Sequence, residues 1–260
     1  MNRLIIVEGL PCSGKSTTSK YIADKLGAVF FDEGSGEHPA DYEFHAFVSD
    51  AELAEFSCAE QDTIKEAAVK KQGGYVVPLA QFQGEISERL IQKKIYDFLP
   101  WEKEKPLMLG KWAEFAAAAD KNSRYVFNCV LLQNPMCETM MRFGFDTSVS
   151  LKYIQSICDI IRPMQPLVVY LSISDIRTEI KKALAERGNG WLDGVIEYHC
   201  GGAYGRANGL SGFDGYISAL EERQRRELKI LSRLDTDHII IKDPQNDRET
   251  AYSQIMNRIR

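Results

Sequence analysis

The residues best equipped for chemistry stand near the start of the chain, in Gly9-Leu10-Pro11-Cys12-Ser13-Gly14-Lys15-Ser16, followed by Thr17. The run fits G-x-x-x-x-G-K-[ST]. A random chain of 260 residues matches that pattern roughly once in a hundred. Its glycines let the backbone curl so that successive N–H groups point inward at phosphate oxygens. A helix opening near Lys15 would add the positive end of its dipole. Lys15 brings a full charge to β- and γ-phosphates, and the Ser16 hydroxyl is a ligand for Mg²⁺. Gly9, Pro11, Cys12, Ser13, Gly14, Lys15, Ser16 and Thr17 are therefore expected to hold the polyphosphate of ATP with its Mg²⁺. The competing reading is a glycine turn that merely exposes a lysine and a serine.

A second group is Asp32-Glu33, directly after the apolar Ala28-Val29-Phe30-Phe31. The carboxyl end of a strand in a parallel sheet opens onto the same crevice as a loop after a neighbouring strand. A carboxylate there can take a proton from an attacking hydroxyl or hold Mg²⁺ through water. Asp32 is assigned with Ser16 to the metal; which of Asp32 and Glu33 acts as base stays open. A solvated acidic turn is the bland alternative.

These groups need a frame to hold them. Five short runs rich in Val, Ile, Leu or Phe, at 4–8, 28–32, 125–130, 167–172 and 238–242, read as strands. None alternates cleanly, as expected of strands buried on both faces of a parallel sheet. Helical patterns cover 16–26, ending at Gly27, and 151–161, stopping before Pro163. Further helices are expected over 174–186, with Ser174 or Asp175 as N-cap, over 216–234 and over 248–259. An insert at 33–124 reads as helices near 51–71, 81–98 and 107–120, punctuated by Gly73-Gly74 and Pro100. The stretch 187–215 holds Gly188, Gly190, Gly194, Gly201, Gly202, Gly205, Gly209, Gly212 and Gly215, which suits a segment that moves.

Composition narrows the classes. Lys plus Arg is 32, Asp plus Glu is 37, and the formal net charge is −5, a poor match to a nucleic-acid polymer. Hydrophobic residues at 44% and charged residues at 27% are ordinary for a soluble globular chain. No apolar stretch is long enough to span a bilayer, and the first residues do not read as a secretory signal. Cys12, Cys58, Cys129, Cys137, Cys158 and Cys200 form no C-x-x-C pair and read as free thiols of a reducing cytoplasm. The partner expected is a small-molecule phosphate acceptor, without nucleic acid or membrane, and a homodimer is left open.

The order strand, phosphate loop, helix, strand, insert, strand, helix, strand, helix, glycine-rich stretch, helix, strand, helix resembles the nucleoside and nucleoside-monophosphate kinases. Ile6-Val7-Glu8-Gly9 leading into the loop and Lys15-Ser16-Thr17 closing it are similar to thymidylate kinases and deoxynucleoside kinases. The likeness is one of motif over the loop and of layout beyond it. It implies an α/β, three-layer α/β/α fold with a five-stranded parallel sheet in a single domain over 1–260. It implies a helical acceptor-binding insert at 33–124 and a glycine-rich lid at 187–215 that closes over ATP. Arg187 and Arg206 are the arginines such a lid would bring to the transferring phosphate. The activity implied is transfer of the γ-phosphoryl group of ATP to a nucleoside, nucleotide or similar acceptor. An antibiotic- or sugar-modifying kinase and a non-catalytic ATP-binding regulatory protein are the rival readings.

One departure from that family stands at the third strand of the sheet, where Asn128 occupies the place usually acidic. Glu8 then joins Asp32 and Glu33 as a candidate near the metal. Gln133 and Asn134 could read a base or sugar edge, or simply cap a turn before Pro135. Arg89 and Arg142 are weaker candidates for an acceptor phosphate, and Arg177 precedes the lid. Arg223, Arg225 and Arg226, among Glu221, Glu222 and Glu227, read as a solvated, ion-paired face. Trp112 and Phe115 fit core better than base stacking, whereas Trp191 and Tyr198 could cover an adenine. His38, His45, His199 and His238 have no ligand spacing and no assigned role.

Overall fold

A computed structural model describes residues 1–34, 36 and 38–260. Among the described residues the strands are β1 (Leu4–Gly9), β2 (Val29–Phe31), β3 (His45–Ser49), β4 (Val69–Lys71), β5 (Gly74–Pro78), β6 (Tyr125–Asn128), β7 (Leu167–Ser172) and β8 (Asp237–Lys242). The helices used below are α1 (Lys15–Leu26), α2 (Cys58–Ala67), α3 (Gly84–Ile91), α4 (Trp101–Ala118) and α5 (Thr147–Ile161). They continue with α6 (Ile176–Arg187), α7 (Asn189–Cys200), α8 (Ala203–Ala207), α9 (Gly212–Leu231) and α10 (Arg248–Arg258). The chain divides into two units, one of Met1–Glu33 with Trp112–Arg260 and the other of Gly34–Lys111.

The first unit holds a five-stranded sheet in the order β2-β6-β1-β7-β8, parallel at every pairing. The strand at its centre, β1, is buried along its whole length. Leu4, Ile5, Ile6 and Val7 there each contribute ~2 kcal/mol by leaving water. On one face Val7, Val169, Leu171 and Ile241 pack with Ile22 of α1 and Ile255 of α10. On the other, Trp112 and Phe115 of α4 meet Phe127, with ring centroids 6.0 and 4.8 Å away. Glu227 of α9 reaches Tyr170 on that same side of the sheet as Glu8, its register partner. Helices thus cover both faces, the α/β arrangement expected. Trp112 and Phe115 are core, as their spacing indicates.

Local signals set the helix ends. α1 opens on Gly14, left-handed at φ 89°, and stops at Gly27, also left-handed. α5 begins earlier than expected, at Thr147, because Asp146 caps it by accepting from Ser148 and Val149 N–H. For α6 the cap is Asp175, which accepts from Thr178 N–H.

The second unit departs from the three helices read for the insert. β3, β5 and β4 form an antiparallel sheet in that order. Gln72-Gly73 is the hairpin turn between β4 and β5, and Gly74 opens β5, where Gly73-Gly74 is expected from sequence to separate helices. Gly73 takes φ 77°, and a Cβ on Gly74 would stand 2.4 Å from the Val48 carbonyl oxygen. Helix survives at α2, whose Ser57 and Glu60 form a capping box, at α3, and at α4, which covers most of the helix expected over 107–120. Ala46, Val48, Leu53, Phe56, Ile64, Val77 and Leu90 make this unit's own core.

The stretch 187–215 is also more regular than its glycines suggest, being built of α7, α8 and the start of α9. Gly201, Gly202, Gly205 and Gly215 serve close packing instead. A Cβ on Gly202 would lie 2.2 Å from the Met141 carbonyl oxygen, and one on Gly205 would lie 2.0 Å from that of Cys200. Trp191, Leu192, Val195 and Ile196 of α7 pack on Leu10, Tyr216 and Leu220. Among the described residues no helix is long and apolar enough to cross a membrane. All six cysteines are free thiols.

Candidate active site

The parallel registers bring three chain segments to one end of the sheet. Val7 pairs with Asn128, and Phe31 with Phe127, so the loop after β1, the turn after β6 and Asp32-Glu33 after β2 emerge side by side. The loop itself leaves no room for alternatives at its first glycine. A Cβ on Gly9 would sit 2.4 Å from the Leu171 carbonyl oxygen and 2.8 Å from Ser13 Oγ. Cys12 adopts φ 68°, a left-handed conformation uncommon outside glycine. Gly14 at the N-cap offers no side chain to α1, and the first turn carries no acidic residue. The first N–H groups of α1 are thereby left to an external anion. Lys15 is buried, its Nζ donating to the Leu10 carbonyl at 2.8 Å across the curl. Pro11 and Cys12 are half-buried, Ser13 is buried, and Ser16 and Thr17 are exposed at the mouth.

Ser16 and Asp32 converge on one amide. Asn128 Nδ2 donates to Asp32 Oδ1 at 2.6 Å and to Ser16 Oγ at 3.1 Å. Glu33 is held separately, its Oε1 accepting from Gln133 Nε2 at 2.6 Å. The amide of Gln133, read in the sequence as a group for a base or sugar edge, thus binds a carboxylate. Mg²⁺, which the motif implies, favours hard oxygens and is commonly bound through one or two carboxylates plus substrate phosphates. A hydroxyl and a carboxylate sharing one amide donor fit that requirement. Ser16 and Asp32 are the residues that would hold it. Among the described residues no group of three or more His, Cys, Asp or Glu converges to form a protein-only metal cage.

Glu8 has a different task from the metal role considered for it. Its buried carboxylate accepts from Leu131 N–H at 2.7 Å and from Leu132 and Gln133 N–H at 3.0 Å. It therefore ties the turn after β6 to β1. Burial pushes its carboxyl up from 4.5 to about 7, against the pull of those three amides and with help from the Glu227 charge. Glu227 and Arg223 are likewise buried. Their closest atoms, Arg223 Nε and Glu227 Oε1, are 3.1 Å apart as an ion pair without hydrogen-bond alignment, and Tyr170 Oη donates to Glu227 Oε2 at 2.6 Å. This corrects the reading of Arg223 and Glu227 as solvated. A signal was present: they fall on the apolar stripe of Tyr216, Leu220, Ile230 and Leu231. Arg225 and Arg226 do pair with Glu222 as an ordinary helix-face network.

The remaining arginines divide. Arg187 ends α6, lies 5.2 Å over the Trp191 ring, and with Lys15 pulls the Cys12 thiol down against the burial that raises it. Its charge is thus felt at the phosphate loop. Arg206 is turned to the Gly201 carbonyl. Arg177 pairs with Asp214 at 2.7 Å, and Arg142 with Glu138 at 2.7 Å. In the second unit Arg89 stacks on Phe56 and pairs with Glu60. Tyr198 is exposed, its ring 5.1 Å from that of His199, and Trp191 is half-buried. Burial drives His38 and His199 down to about 3 and His45 to about 4, so all three are neutral.

The sequence reading passed over one feature beside the loop. Gln245, in the turn after β8, donates to the Cys12 carbonyl. Asp243 in the same turn accepts from Ser174 N–H and Oγ at 2.7 and 2.6 Å. Ile173, Ser174, Asp175, Asp243, Gln245 and Asn246 line a cleft of about 170 Å³. Its only advance sign was the position of this turn at the same carboxyl end of the sheet.

No protein-family model matches the chain, and no curated protein does. Solved structures similar to it include a deoxyadenosine kinase from M. mycoides with bound dATP, at 18% identity and a TM-score of 0.45, covering 98% of this chain and 97% of that one. The YorR protein from Bacillus subtilis, in complex with phosphorylated GDP, is similar at 15% identity and a TM-score of 0.46, covering 98% and 94%. A thymidylate kinase from Candida albicans is similar at 12% identity and a TM-score of 0.43, covering 99% and 94%.

Proposed function

We propose that this chain is an ATP-dependent kinase that transfers the γ-phosphoryl group to a hydroxyl or phosphate of a nucleoside, nucleotide or similar small acceptor. The observation that carries the reading is the convergence of Ser16 and Asp32 on Asn128 beside the uncapped N-terminus of α1, with Lys15 folded across the same loop. In it the first N–H groups of α1 and the loop amides bind the phosphate tail. Lys15 exchanges the Leu10 carbonyl for β- and γ-phosphate oxygens, a stronger, charge-assisted partner. Bound Mg²⁺ supplies neutralisation of charge on those oxygens. Ser16 and Asp32 would hold it, and Asp32 is the carboxylate favoured to take the acceptor's proton, because Asn128 gathers it with the Ser16 hydroxyl whereas Gln133 draws Glu33 away from that pair. Arg187 is the arginine favoured for the spreading charge of the transferring group. The cleft beside Gln245 is the place favoured for the base of the donor, since it adjoins the loop.

The test is ADP release in the presence of nucleosides, nucleoside monophosphates, aminoglycosides and sugars, with Lys15→Ala as control. The reading expects turnover with a nucleoside or nucleotide and none in the variant. Turnover with aminoglycosides or sugars alone would favour a modifying kinase. Binding of Mg·ATP without transfer to any acceptor would favour a regulatory protein, the reading that Asn128 in a usually acidic place supports.

A further inference from the structure

The place where a second acidic residue was expected is filled by an amide whose every polar atom is engaged. Asn128 is fully buried at the end of β6. The Cys129 thiol donates to its Oδ1 at 2.9 Å, which fixes the amide's orientation and turns Nδ2 outward. Nδ2 carries two protons, and it has two acceptors, Asp32 Oδ1 at 2.6 Å and Ser16 Oγ at 3.1 Å. Cys129, the residue that orients the amide, itself stands at φ 69° although it is not glycine and is fully buried. Backbone strain of that kind persists where surrounding structure over-determines it.

A carboxylate at this position would behave differently. It would set two anions against each other across the 2.6 Å now spanned by the Asn128–Asp32 hydrogen bond. Such a pair does not stay doubly ionised in contact: where both remain charged they are held apart until a cation enters between them, and otherwise one takes up a proton. With the amide, the attraction is present from the start. The donor satisfies one lone pair of Ser16 Oγ and one oxygen of Asp32, and leaves the rest of both groups open.

We propose that Asn128 is a positioning residue that assembles Ser16 and Asp32 into their working arrangement before any metal arrives, doing with a neutral hydrogen-bond donor what a metal ion would do between two carboxylates. This rests on the kinase reading for its purpose but not for its geometry. The metal half of the site is therefore formed in the absence of Mg²⁺, and free Mg²⁺ gains little from it. Affinity for the cation comes with the nucleotide phosphates instead.

The experiment is thermal unfolding with and without millimolar MgCl₂ and no nucleotide, paired with calorimetry of Mg·ATP binding to the unaltered protein. The unaltered protein is expected to show no shift in Tm with MgCl₂. Asn128→Asp is expected to melt lower without the salt and to regain about 3 °C or more with it. Asn128→Ala also melts lower but is not rescued by MgCl₂, which separates loss of packing from loss of the donor. The exchange variant Asp32→Asn/Asn128→Asp restores one carboxylate and one amide, and should melt near the unaltered protein with no response to MgCl₂. If Asn128→Asp does not fold, that exchange variant decides alone: recovery supports the pairing, and no recovery overturns it. A folded Asn128→Asp indifferent to MgCl₂ also overturns the proposal. Absence of heat with Mg·ATP, alongside a magnesium response in Asn128→Asp, would remove the kinase reading and leave the positioning role standing.

Discussion

At the scale of residues, the two carboxylates after β2 are distinguished by their partners. Asp32 shares Asn128 with Ser16, while Glu33 is drawn to Gln133. Steady-state kinetics at saturating ATP should therefore separate them. Asp32→Ala is expected to lower kcat by roughly 10²–10⁴-fold, the usual worth of a positioned acid or base. Glu33→Ala should stay within about tenfold, since removing it costs one partly exposed hydrogen bond of ~1 kcal/mol. Equal losses in both variants would contradict the distinction. Lys15→Ala should lose Mg·ATP binding in calorimetry while keeping its melting cooperative, because the Leu10 carbonyl it leaves can turn to water at the loop mouth.

At the scale of elements, Gly202, which caps α8, and Gly190 of α7 carry opposite expectations. Gly202→Ala would force a Cβ to within 2.2 Å of the Met141 carbonyl oxygen, and neither backbone can retreat without opening the α8 packing. Overpacking of this kind costs about 1–3 kcal/mol, so Tm should fall by several degrees. Gly190, in the first turn of α7, has open space around its Cβ direction and no left-handed φ. Gly190→Ala should leave Tm unchanged or raise it, by up to ~1 kcal/mol of unfolded-state entropy. If the segment were an irregular flap, both substitutions would be neutral. In α9, removing one partner of the buried Arg223–Glu227 pair strands the other charge. Glu227→Gln should destabilise by about 3–5 kcal/mol in urea titrations, and Arg223→Met/Glu227→Leu should recover much of that loss.

For the molecule as a whole, buried titratable groups set the dependence of stability on pH. His38, His45 and His199 fall to about 3, 4 and 3 from 6.5 when folded. The unfolded chain binds their protons first, so stability rises with pH from about 4 to 6.5. Glu8 moves the other way. Its folded value of about 7 lies above 4.5, so its stabilisation is complete below 4.5 and is lost as pH rises through 7. Glu227 is also raised by burial and opposes the histidines in the same sense. The three imidazoles outweigh Glu8 up to about 6.5, and above that the fading histidine gain and the remaining Glu8 loss nearly cancel. The urea midpoint should therefore rise clearly from pH 5 to pH 6.5 and level off between about pH 7 and pH 8. A midpoint that climbs steadily through pH 8 would contradict the placement of Glu8.

Much of this was visible in the chain because it is local. The phosphate loop lies within consecutive residues, Gly14 and Gly27 bound α1 by their own backbone freedom, and unbroken apolar runs mark the strands of the parallel sheet. The antiparallel sheet of the second unit was hidden because Val69-Lys70-Lys71 and Gly74–Pro78 are short and their pairing depends on β3. The Asn128 clamp was hidden for a related reason. Asn128 lies 112 residues from Ser16 and 96 from Asp32, and no periodicity spans such separations. Whether Arg223 and Glu227 are solvated or buried likewise turned on what α9 packs against. Composition and spacing specify which groups exist and which elements carry them. Which acceptor meets which donor follows from sheet order and helix packing, where burial and steric fit act between parts of the chain far apart in sequence.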